Sequence, residues 1–126
     1  MSQYMRAYVL IVERDLLTRE TIIDLFKALG HVALGASSPI RGLKMLEAMT
    51  FDALMISPGA TSLGEPSYAL DAKKLQPHAA VIMAAALELP EFSEPPIDAF
   101  IQKPFSIASL EETLRKLFIF SDQSSQ

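Results

Sequence analysis

The sequence predicts an α/β protein in which a parallel sheet is covered by helices on both faces. Three observations carry this. Five short, β-prone apolar runs alternate with segments whose apolar residues recur at helical spacing. The first run, Ala7-Tyr8-Val9-Leu10-Ile11-Val12, is apolar at every position, as a central parallel strand buried on two sides should be. The chain has 126 residues, 50% of them hydrophobic and 21% charged, enough for one core and too few for two.

The first run stops at Glu13-Arg14-Asp15. From Thr18 to Leu29, Ile22, Leu25, Phe26 and Leu29 mark one face of a helix, with Gly30 as its stop. His31 to Ala36 reads as the second strand. Ser38 then caps a helix with Pro39 at its first position, and Leu43, Leu46 and Met49 line its inner face toward Thr50. Asp52 to Ile56 is the third strand, ended by Ser57-Pro58-Gly59; Tyr68 to Leu75 is a helix, and Ala80 to Ala84 the fourth strand. Pro90, Pro95 and Pro96 break any period between Ala85 and Ala99, so the fourth helix is expected to be short or missing. Ala99-Phe100-Ile101 is the fifth strand. Ser106 to Phe118 is the last helix, with Ile107, Leu110, Leu114 and Leu117 inward. The domain is expected to span 1–120, with 121–126 a polar tail.

Composition removes several classes of function. The absence of cysteine excludes disulfides, thiolate zinc sites and a cysteine nucleophile. A net charge of -4 gives no broad attraction to nucleic acid or anionic lipid. The apolar runs are too short to span a membrane and the start carries no export signal, so a cytoplasmic location is expected. No Gly-rich fingerprint follows the first strand, and no Gly-x-Ser-x-Gly elbow surrounds Ser57. His31 and His78 have no carboxylate spacing that resembles a metal site, and Met45, Met49, Met55 and Met83 fall on predicted core faces.

Function in open α/β sheets collects beyond the carboxyl ends of the strands. Here those positions hold Glu13, Arg14 and Asp15, then Ser57, Ala85, and Lys103-Pro104. With the Gly30-His31 turn, the Phe51-Asp52 entry to strand three and Lys103-Pro104-Phe105, this resembles the receiver domain of bacterial two-component response regulators, from Val9 through Leu117. The resemblance implies a flavodoxin-like (βα)5 fold with five parallel strands in that family's order. It also implies an aspartate phosphoacceptor after strand three, a divalent ion on an acidic pair after strand one, a hydroxyl residue after strand four and a lysine after strand five.

Most of that chemistry is missing. The phosphoacceptor position is Ser57, Arg14 stands where the second carboxylate belongs, and Ala85 replaces the hydroxyl residue. Asp15 falls one position too late. Glu13 and Lys103 alone are family-type site residues, and they are expected to pair across adjacent strand ends, with Arg14 as a fixed positive charge near the ion's place. Phe100, at the switch-aromatic position, should stay buried.

The expected function is therefore a degenerate, phosphorylation-independent receiver that uses no cofactor or metal, catalyses nothing and works by protein-protein contact. Its partner would be a kinase, an output domain or a second copy, met through Phe100, Phe118, Ile119 and Phe120. Two alternatives are residual phosphorelay and a small-ligand sensor that uses the Ser57 to Gly64 loop.

Overall fold

The computed structural model describes residues 6–57, 65–85 and 97–124, with side chains from Tyr68 in the third helix and through Phe118 in the last. Five strands form one parallel sheet: β1 (Tyr8–Val12), β2 (Val32–Ala36), β3 (Ala53–Ile56), β4 (Ala80–Ala85) and β5 (Ala99–Gln102). Their spatial order is β2-β1-β3-β4-β5, and every neighbouring pair is parallel. Four helices are described: α1 (Leu16–Ala28), α2 (Pro39–Ala48), α3 (Glu65–Leu75) and α4 (Ile107–Ser124). The expectation of a short or missing fourth helix falls on 86–96, outside the described residues.

Strand alternation divides the core into two layers. Val9, Ile11, Met55, Ile82 and Ile101 face α1 and α4, where Ile22, Phe26, Leu110 and Leu114 meet them. Leu10, Val12, Leu54, Ile56 and Met83 face the other way, toward Leu46 of α2 and Ala69 and Ala72 of α3. Burial on both faces explains why the first run carries no polar residue.

The helix termini follow local chemistry. Ser38 accepts the Arg41 N–H and Pro39 opens α2 as read from the sequence. Gly30, at φ 91°, turns the chain out of α1 in the left-handed region that glycine alone enters freely. α1 begins earlier than the Thr18 expected, because Asp15 caps it by accepting both the N–H and the hydroxyl of Thr18. α2 ends at Ala48, so Met49 lies beyond the helix in an extended conformation and is exposed rather than inward. Ile107, at the first turn of α4, is likewise exposed. The helical backbone of α4 continues through Ser124, into the segment expected to be a tail.

At the amino end of the sheet, side chains close the backbone. Asp52 accepts the Tyr8 N–H and Asp98 accepts the Val81 N–H. Gln76 holds three backbone groups, accepting from Phe51 N–H and donating to the Leu46 and Met49 carbonyls. The carboxyl end is where the candidate site lies.

Candidate functional site

The ladder brings the strand-terminal residues together. Val12 pairs with Ile56, and the Ser57 N–H continues the pairing onto the Val12 carbonyl at 3.2 Å, so Glu13 and Ser57 lie side by side. Ala85 pairs with Gln102, and the Lys103 N–H donates to the Ala85 carbonyl at 2.7 Å. The loop that follows contains a cis Lys103-Pro104 bond.

Glu13 is the centre of the arrangement. Its side chain is 8% exposed and both carboxylate oxygens are engaged. Lys103 Nζ donates to Oε1 at 2.8 Å, and the Asp15 N–H donates to Oε2 at 3.0 Å. Burial pushes the Glu13 carboxyl up, but the Lys103 hydrogen bond, the Ser57 hydroxyl, the Asp15 amide and the Lys103 charge outweigh it and hold the group below its ordinary 4.5. The expected pair is thus present, with one correction. β1 and β5 are not adjacent, since β3 and β4 separate them, and the lysine stem spans that distance.

Ser57 is 2% exposed. Its hydroxyl lies close enough to Glu13 to favour the charged carboxylate, yet it meets no described group at hydrogen-bonding geometry. Ala85, also buried, is the last residue of β4 and carries no hydroxyl.

Two of the acidic-cluster residues lie apart from this centre. Arg14 is exposed, and its side chain makes no hydrogen bond or ion pair with the described residues, so the cation on Glu13 is Lys103 alone. Asp15 is occupied as the cap of α1; its bonds from the Thr18 backbone and hydroxyl hold its carboxyl below the ordinary 3.8.

Arg19 was not singled out by its sequence context. Its guanidinium donates to the Glu13 carbonyl at 2.8 Å and so braces the turn that aims Glu13 inward. The available signal was Gly35, a glycine inside a strand, which often marks a close approach. A Cβ at Gly35 would lie 2.9 Å from Arg19 Cδ.

Phe100 departs from expectation. It is 36% exposed rather than buried, because β5 is the sheet edge and alternation turns Phe100 away from the layer that holds Ile101. Phe118 is half-buried against that same layer, on the other face of β5. The two rings therefore do not form one patch. The side chains of Ile119 and Phe120, and residues 58–64 of the Ser57 to Gly64 loop, lie outside the described residues.

Beside Lys103 runs a groove of about 450 Å³ between α1 and the turn after β5, lined by Leu17, Thr21, Leu25, Pro104 and Phe105 among others. No sequence signal separated this face of α1 from an ordinary solvated one.

The sequence matches no family model and no curated protein. The fold is another matter. A CheY-like response regulator receiver domain from Methanospirillum hungatei superposes with a TM-score of 0.83 over 97% of this chain and 100% of that one, at 20% identity. The response regulator TrrA of Thermotoga maritima, in complex with Mg²⁺ and BeF, gives 0.79 over 90% and 99% at 20% identity. The receiver domain of a sensor histidine kinase from Pseudomonas aeruginosa, with magnesium in its active-site cleft, gives 0.77 over 89% and 97% at 19% identity. The five-stranded parallel sheet and its strand order are those of a flavodoxin-like, CheY-like receiver fold.

Proposed function

We propose that this chain is a non-enzymatic two-component signalling module that works by protein-protein contact and neither binds a divalent ion nor accepts a phosphoryl group at Ser57. The observation that carries the reading is the internal ion pair. Glu13, among the described residues the one carboxylate aimed into the site, already has Lys103 on one oxygen and a backbone amide on the other.

A divalent ion of the magnesium type needs several oxygen ligands and keeps much of its hydration. Among the described residues no group of three or more acidic or imidazole side chains is placed to hold one. Arg14 stands at the neighbouring position, where a second carboxylate would be required, so that ligand is missing. The described residues do not suit the ion.

Ser57 is equally unsuited to covalent chemistry. A serine hydroxyl needs a general base near its own working pH. Glu13 is the adjacent base, but Lys103 keeps it ionised to lower pH than usual, which makes it a weaker proton acceptor. Ala85 offers no hydroxyl to hold a transferred group. What remains is a receiver-shaped surface held in one state by Glu13 and Lys103.

The reading is tested by titrating the chain with Mg²⁺ in the presence of beryllofluoride while following backbone amide resonances. The Ser57 and Lys103 amides are expected not to show a saturable, magnesium-dependent shift. A saturable shift centred on them would mean that the site still takes the ion and the phosphoryl mimic.

A further inference from the structure

We propose that His31 is an acid-released latch: its neutral ring pins the start of β1 to the turn between α1 and β2, and its protonation frees the chain ahead of Tyr8 while the rest of the sheet stays folded. The device sits at the amino end of the sheet, opposite Glu13 and Ser57, and does not depend on the functional reading above.

Ala7 spends both of its backbone groups on this turn. Its N–H donates to His31 Nδ1 at 3.0 Å, and its carbonyl accepts the Val32 N–H at 2.9 Å. The ring is held for that purpose from two sides. Gly30, at φ 91°, reverses the chain so that the His31 N–H donates to the Phe26 carbonyl at 3.0 Å, and the Phe26 ring meets the imidazole edge-on with centroids 6.3 Å apart.

A ring nitrogen that accepts a hydrogen bond carries no proton, so the neutral imidazole keeps its proton on Nε2. The imidazolium is protonated at both nitrogens. Neither can then accept, and turning the ring over does not restore the bond. Ala7 is fully buried, its N–H has no other partner among the described residues, and a second donor would now face it. The two groups must part. Opening ends at the next residue, because Tyr8 is held separately: its N–H donates to Asp52 Oδ2 at 2.8 Å and its carbonyl accepts the Asp52 N–H at 2.7 Å.

The surrounding charges set where the latch works. Burial disfavours the imidazolium more than the Asp52 carboxylate, at the entry to β3, favours it, so the latch stays closed until the pH is below the ordinary 6.5. Arg6 ahead of β1 and Lys27 on α1 flank the site in sequence, and both are exposed to solvent, which screens them.

The test is a nuclear magnetic resonance titration of the parent chain between about pH 8 and pH 5, following the His31 ring nitrogens and the backbone amides together. At the upper end the ring should be protonated on Nε2. The Ala7 amide should shift with the midpoint of the His31 ring, below pH 6.5. Below that midpoint its hydrogen exchange, corrected for the intrinsic rate, should quicken by up to about tenfold per pH unit, the limit for one linked proton. The Ser57 and Lys103 amides should not follow that midpoint. His31→Asn keeps an acceptor oxygen near the place of Nδ1 but does not titrate, so it should remove the pH dependence at Ala7; if circular dichroism shows that variant to be unfolded, the parent titration carries the test. Four results would overturn the proposal: a ring protonated on Nδ1 at the upper end, a ring that stays neutral until the whole chain unfolds, an Ala7 amide that keeps its protection while the ring titrates, or an unchanged pH dependence in folded His31→Asn. The magnesium titration reads the other end of the sheet, so a failure here and a failure of the functional reading are told apart.

Discussion

Lys103 and Glu13 have unequal exposure, and that inequality decides what each contributes. The carboxylate is nearly closed off from water while the amine keeps 23% of its side-chain surface. Removing the amine leaves a buried charge without its cation; removing both leaves two groups that pack. Lys103→Met should therefore lower unfolding stability by about 2 kcal/mol, less than a fully enclosed pair would lose. Glu13→Gln combined with Lys103→Met should regain at least about 1 kcal/mol of that, measured by urea denaturation. A Lys103→Met variant as stable as one changed at the exposed Lys44 would show that the pair holds nothing. Glu13, Ser57 and Lys103 were legible in the sequence because each terminates an apolar run in a βα array. Arg19 was not, since its role depends on Gly35 from another strand, and Phe100 was misplaced because edge position is a property of strand order.

At the scale of elements, α2 approaches the sheet through Gly42. A Cβ there would meet Tyr68 Oη at 2.5 Å and Val12 Cγ2 at 3.0 Å. Tyr68 reaches this point because its hydroxyl donates to the Pro39 carbonyl at 3.0 Å, and burial raises its pKa to about 12. Gly42→Ala should thus destabilise by about 1 to 2 kcal/mol despite alanine's better helix propensity, as overpacking outweighs the propensity gain. Combining it with Tyr68→Phe should recover part of the loss in thermal melts; no recovery would place the clash at Val12. Periodicity was a good guide to which segments form strands and helices. It was a poor guide to their ends. Met49 and Ile107 fit an inward stripe on paper, but α2 stops one residue before the first, and the second sits in an opening turn too far out to reach the core.

For the molecule as a whole, the two ends of the sheet respond to acid at different pH. At the amino end, the buried His31 accepts the Ala7 N–H through Nδ1 at 3.0 Å and stacks edge-on to Phe26. Burial lowers its pKa below the ordinary 6.5, with Asp52 pulling partly the other way. The unfolded chain therefore takes up that proton first, so stability present above about pH 6.5 is lost as the pH falls from there. Glu13 contributes in a lower window: its depressed carboxyl stabilises above about pH 4.5 and that gain is lost below it. Acid unfolding should start with a shallow loss assigned to His31, and His31→Gln should flatten it. Parallel stability curves for parent and variant between about pH 7 and pH 5 would contradict this.

The central claim is that the receiver fold is retained here without its phosphoryl chemistry, and phosphoryl incorporation measures it directly. The parent, Ser57→Asp, and the triple variant Ser57→Asp, Arg14→Asp, Ala85→Thr would each be incubated with Mg²⁺ and acetyl phosphate and weighed intact by mass spectrometry. The parent should gain nothing. The single variant should gain nothing either, because its new carboxylate joins Glu13 around Lys103 while position 14 still supplies no carboxylate and position 85 no hydroxyl; only the triple variant should take up one phosphoryl group. Incorporation into the parent, or full incorporation into Ser57→Asp alone, would contradict the claim.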